Sequence, residues 1–190
     1  GVLSYAGNFH GELQGFVAEW MKLLLAEVSA LSAYRTIRLL TPELNEGLPP
    51  FLSPSPGIHS GWMLAQSLQA DLLASLQSRL SPALVHKIPV SGFQEDFVSF
   101  SASSAAQVYE MIPLAETILA VELLCSVDGA EKRAPLKPGK GTSRLVHTLR
   151  QHIPPLQIES DLSVMAEKAR QWIHSAHFLK ELEPLFPSEQ

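Results

Sequence analysis

Cysteine, charge and basic runs are all scarce in this 190-residue chain, and each shortage excludes something. The lone Cys125 cannot form an internal disulfide, which fits a reducing, cytoplasmic setting. The net charge is −5 with no block of lysines or arginines, so no nucleic-acid partner is expected. No uncharged apolar stretch reaches the length of a membrane span, and no cationic leader precedes an apolar run. Neither a membrane partner nor a signal peptide is expected. Glycine-rich phosphate loops and a Gly-x-Ser-x-Gly elbow are missing too. His10, His59, His86, His147, His152, His174 and His177 are scattered. The pair His174 and His177 has no carboxylate at ligand spacing, so no metal site is expected.

Charged residues make up only 17% of the chain and hydrophobic ones 46%. A surface that lean in charge is expected to be covered by more chain or by other subunits. The first residue is Gly1, not Met, so the sequence is expected to be a processed product or a piece of something longer.

What is present is helical. From 12 to about 40, Phe16, Trp20, Leu23, Leu24, Val28, Leu31, Tyr34 and Ile37 recur at spacings of three and four. This stripe predicts a core and subunit-contact face. Pro42 ends the helix, and the proline-rich loop 45–57 carries Leu48, Phe51 and Leu52, so it is expected to be packed. A second helix, 60–80, is apolar or small nearly all round and is expected to be buried on most sides. A third begins near Asp96 or Ser99 and reaches about 127, with a kink expected at Pro113. After a surface loop at 131–141, a shorter helix is predicted from 142 to 152. Another runs from Asp161, a good N-cap, to about 177, with a frayed tail from 181. No strand pair or repeat is found. The class is all-α, a bundle of long helices.

The most unusual polar stretch is Gln94-Glu95-Asp96, set between apolar residues ahead of the third helix. Two readings fit it. Asp96 or Ser99 caps the helix while Gln94 and Glu95 face water, or the group is partly buried and serves a ligand. Cys125, on an apolar helical face, reads as a small core residue.

Taken together, the motifs resemble a known family. Gly7-Asn8-Phe9-His10-Gly11-Glu12, Gly47-Leu48-Pro49-Pro50-Phe51-Leu52, Ser60-Gly61-Trp62-Met63-Leu64-Ala65-Gln66 and Gln94-Glu95-Asp96-Phe97-Val98-Ser99 are similar, in this order, to blocks of the histidine and phenylalanine ammonia-lyases. Ile118 to Gly129 and Pro135-Leu136-Lys137 continue the match. The resemblance implies a fumarase/aspartase-like helical fold, a homotetramer sharing a central bundle, and active sites at subunit junctions. It implies loss of ammonia from an aromatic amino acid, with a 4-methylidene-imidazol-5-one (MIO) electrophile made from an Ala-Ser-Gly triplet.

That triplet does not occur here. The match corresponds to the C-terminal portion of such an enzyme, over 1–190, without the half that bears MIO. This chain is therefore expected to supply scaffold and pocket residues and to be inactive alone.

By the resemblance, Phe9 packs on the substrate ring, Met63 lies near the substrate side chain, and Gln94 lines the pocket. Glu95 matches the catalytic carboxylate that faces the imidazole in histidine lyases. Asn8, His10 and Asp96 are further candidates, structural or in the site. Phe93 stands where the family usually has asparagine. A carboxylate suits an imidazole N–H and would be an unpaired charge against a phenyl ring. The expected reaction is L-histidine to trans-urocanate and ammonia. The alternatives are a phenylalanine or tyrosine lyase, an aminomutase, or a non-catalytic assembly module.

Overall fold

The computed structural model describes residues 1–3, 8–157, 160–175 and 180. Among them are five α-helices: α1 (Glu12–Leu40), α2 (Met63–Gln77), α3 (Ser101–Lys132), α4 (Lys140–His152) and α5 (Leu162–His174). Short 3-10 turns occupy Pro50–Leu52, Ala83–Val85 and Ser91–Phe93. Extended pairing among the described residues is one isolated bridge, Val90 with Glu95.

The three long helices run up, down and up. Ser104 Oγ donates to Glu19 at 2.6 Å, Lys22 to Gln107 at 2.6 Å, and Arg35 to Glu122, so α1 and α3 are parallel. On α2 the order reverses. Arg79 meets Glu110, Gln69 donates to the Ile118 carbonyl at 2.8 Å, and Trp62 Nε1 donates to Asp128 at 2.9 Å. α3 is the central helix. It buries Met111, Ile118, Val121, Leu124 and Cys125, and it continues unbroken through Pro113.

α1 has its predicted bounds but the opposite face inside. Its buried positions are Gly15, Ala18, Lys22, Ala26, Ser29, Ser32, Ala33, Thr36 and Leu40. The apolar stripe predicted as a core and subunit-contact face is not core: it points outward, with Trp20 67% exposed and Leu23, Leu24, Val28, Leu31 and Tyr34 also exposed. The reason is spacing: small residues let α1 approach α3 closely. A Cβ on Gly15 would lie 2.6 Å from Leu84 Cδ2 and 3.4 Å from Ser101 Cα. The expectation for α2 is corrected likewise. Its buried residues are Ala65, Gln69 and Leu76, while Leu64 and Met63 are exposed.

At the far end of α3 the connections lock together. The loop after α1 is packed as predicted, with Leu48 and Leu52 buried. Gly61 sits at φ +59, and a Cβ there would lie 2.4 Å from the Phe51 carbonyl oxygen, so the turn into α2 admits only glycine. Asp128, buried, accepts from Trp62 and from Arg150 at 2.9 Å, and Arg150 also pairs with Glu131. This fastens α4 to α3. Asp161 caps α5 as expected, accepting from the backbone N–H groups of Ser163 and Val164. Arg170 and His174 of α5 both meet Glu116, at 3.1 and 2.6 Å. His177 and the tail from 181 lie outside the described residues.

Candidate functional site

The candidate residues gather at the other end, where α1 and α3 begin. Gly11, at φ +68, turns the chain into α1. Just before it come Asn8, Phe9 and His10. Asn8 Nδ2 donates to Gln14 Oε1 at 3.1 Å, which holds this turn against the first helical residues. The carbonyl of His10 accepts two hydroxyl donors from the start of α3, Ser99 and Ser101, the latter at 2.7 Å. Ser99 is buried. The Asn8-Phe9-His10 turn is thereby tied to the segment that follows Glu95.

Glu95 is anchored through its own backbone. Val90 N–H donates to the Glu95 carbonyl at 2.9 Å, and Glu95 N–H donates back at 3.4 Å. Between them the chain reverses through Ser91, Gly92 and Phe93, all with positive φ (53, 64 and 67). Only glycine adopts that region freely, so the other two hold a strained backbone costing about 1 to 3 kcal/mol each. Phe93, where asparagine would tolerate this conformation better, leaves its ring 82% exposed. Lys87 steadies the loop from the side. It pairs with Glu12 at 2.9 Å and lies 4.3 Å over the Phe97 ring.

The side chains of His10 and Glu95 then meet, Nε2 to Oε2, at 3.5 Å. Both are partly shielded, and the Phe9 ring stands edge-on to His10 at 5.0 Å between centroids. A carboxylate in this position can accept a further hydrogen bond from a ligand N–H. Gln94 and Asp96 face solvent beside it. The expectation that Asp96 caps α3 is corrected: α3 starts at Ser101, and its N-cap is Phe100, at φ 51. The hydroxyl of Ser99, the other candidate cap, accepts from Ser101 N–H at 3.2 Å. Gln94 faces water as the first reading has it, while Glu95 is partly exposed and in contact with His10.

Met63 is not brought to this cluster within one chain. It opens α2 next to Trp62, which bonds Asp128 near the far end of α3. The run of α3 from Ser101 to Asp128 is on the order of 40 Å at 1.5 Å per residue. Sequence reasoning missed Ser101 and Lys87, and placed His10 in the site without a partner. Their contacts join segments far apart in the chain, and no local pattern carries them.

Cys125 is buried in the α3 core, and burial together with the nearby Asp128 and Glu122 charges pushes its thiol pKa well up, so it is no nucleophile. Groups of three or more metal-ligating side chains do not occur among the described residues. No helix among them is long and apolar enough to cross a membrane.

Comparison with known proteins places the chain in a family. A family model described as aromatic amino acid lyase matches residues 2–151. Histidine ammonia-lyase of Geobacillus thermodenitrificans is 35% identical over 173 residues, covering 91% of this chain and 34% of that protein. Histidine ammonia-lyase of Natranaerobius thermophilus is 36% identical over 177 residues, covering 93% and 35%. Among solved structures, histidine ammonia-lyase from Trypanosoma cruzi superposes with a TM-score of 0.92 at 28% identity, covering 99% of this chain and 37% of that one. The chain thus spans about a third of the length of the relatives it matches. The helical architecture is the fumarase/aspartase-like one. With a family match over most of its length, the chain belongs to the aromatic amino acid lyases.

Proposed function

We propose that this chain is the C-terminal portion of a cytoplasmic ammonia-lyase that converts L-histidine to trans-urocanate and ammonia. The observation that carries the reading is Glu95: a carboxylate, half-buried and fixed by its backbone, in a family whose relatives matched here are named histidine ammonia-lyases. Such a group accepts a hydrogen bond from an imidazole N–H and favours positive charge on that ring. A phenyl ring offers no N–H or O–H, so against it the carboxylate oxygen that His10 does not reach would go without a donor.

In this reading Phe9 supplies ring contact and Gln94 a polar rim. Met63 enters the pocket of another copy, because one chain holds it at the opposite end of the bundle from Glu95. That separation supports a site shared between copies, as in a homotetramer, and the outward apolar stripe of α1 supplies a face for the contact. The MIO electrophile does not fit this chain's own residues, since no Ala-Ser-Gly is present to form it. An enzyme that uses it must draw it from residues beyond these. The same lack supports a second reading, a scaffold module without activity.

The test is the complete protein from its source. Its chains are weighed under native and denaturing conditions, and it is incubated separately with L-histidine, L-tyrosine and L-phenylalanine. The expected result is urocanate and ammonia from histidine, with mass beyond the 20.8 kDa of this chain. Products from tyrosine or phenylalanine alone contradict the substrate, and no product from any of the three contradicts the lyase reading.

A further inference from the structure

We propose that His10 is a positioning residue for Glu95, holding the carboxylate so that one oxygen is engaged within the protein and the other is left for the ligand. The inference rests on the lyase reading for its consequence in turnover, and on this chain's geometry for the contact itself.

Three observations converge. His10 Nε2 lies 3.5 Å from Oε2 of Glu95, the one carboxylate oxygen it reaches. The His10 backbone cannot drift, because its carbonyl accepts from both Ser99 and Ser101. The ring also has a neighbour of its own, Phe9, which stands edge-on to it at 5.0 Å between centroids. Glu95, for its part, is fixed only at the backbone, by the bridge to Val90. A glutamate side chain has three rotatable bonds, so a backbone anchor alone leaves its carboxylate free to sample several rotamers. His10 is the group in place to restrict it. At 3.5 Å the contact is longer than an ordinary hydrogen bond, as catalytic contacts often are before a ligand closes the site.

The consequence is specific. If His10 acts through Glu95, removing it matters only while the carboxylate is present. The experiment is a double-mutant cycle in the complete protein, with kcat and KM for L-histidine measured for His10→Ala, Glu95→Gln and both together. His10→Ala is expected to lower kcat by about 10- to 100-fold, the scale of a misplaced catalytic group. The double variant is expected to lose no more than Glu95→Gln alone. His10→Gln, which keeps a side-chain N–H, is expected to recover most of the loss. Losses that multiply across the cycle overturn the proposal, because they give His10 a role independent of Glu95.

A second readout needs no turnover. Carbethoxylation of histidines, read by peptide mass, is expected to modify His10 severalfold faster in Glu95→Gln, with exposed His86 unchanged as the internal standard. An unchanged His10 rate overturns the contact alone. Absence of turnover by the unaltered protein overturns the lyase reading and the positioning role with it, while the carbethoxylation rates still report whether the two side chains meet.

Discussion

α1 and α3 run side by side in the same direction and are almost equal in length, yet they solve opposite packing problems. α3 buries its large apolar residues: Met111, Ile118, Val121 and Leu124 are all within 1% of full burial. α1 buries alanine, serine and glycine and turns its large residues outward. Its interior is also polar. Lys22, 1% exposed, pairs with Glu19 at 2.7 Å and donates to Gln107 and to the Ser81 carbonyl. Glu19 in turn accepts from Ser104 and from the Ala83 N–H, so the connector at 81–85 is pinned between the two helices. The outward stripe of α1 is the face that the proposed assembly would cover. The lesson is that periodicity finds the faces of a helix and not which face belongs to its own chain.

The largest expected effect breaks α1's polar interior. Burial alone would raise the Glu19 pKa, but hydrogen bonds from Lys22, Ser104 and the Ala83 N–H outweigh it and hold it below the usual 4.5. Glu19→Gln is expected to destabilise by about 3 to 5 kcal/mol at neutral pH, leaving Lys22 buried without its countercharge. A carboxylate with a depressed pKa contributes its stability above the unfolded value and loses it as pH falls through the folded one. The gap between variant and parent in urea melts is therefore expected to shrink below pH 4.5. A gap independent of pH would contradict the assignment.

Next comes the interior of α3. Leu124→Ala is expected to cost about 2 to 5 kcal/mol by transfer loss and cavity formation. Overfilling α1's small face is milder: Ala33→Leu is expected to cost about 1 to 3 kcal/mol, read by the same melts. The smallest change in intrinsic stability is on α1's outer stripe. Leu24→Ser is expected to shift chain stability by no more than about 0.5 kcal/mol, yet to weaken self-association in sedimentation. The parent chain is expected to self-associate or aggregate at micromolar concentration, and a well-behaved monomer would remove the case for a covered face. If Leu24→Ser proved as costly as Leu124→Ala in the melts, the comparison between the helices would fail.

Much of the scaffold was legible before the structure. The bounds of α1 followed from a 3.6-residue pattern ended by Pro42, and Asp161 was recognisable as a cap because cap chemistry is local. The packed loop with Leu48 and Leu52 was legible because apolar residues in a proline-rich segment need somewhere to go. The start of α3 was misread because Asp96 has cap chemistry, whereas the helix begins beyond a left-handed Phe100 that no propensity favours. Of the site, the segments were legible and their meeting was not. Phe9, His10 and Glu95 came from the sequence, but the clamp of Ser99 and Ser101 on the His10 carbonyl joins distant parts of the chain. The placement of Met63 was not legible either. Matching a motif assigns a residue to a pocket without saying whose pocket it is.

The most direct test of the account is the rate of urocanate formation from L-histidine by the complete protein, measured for the parent and for Glu95→Gln. The account predicts a fall in turnover of much more than tenfold, because the amide cannot stabilise charge on the imidazole as the carboxylate does. An unchanged rate would remove Glu95 from the mechanism and contradict the central claim.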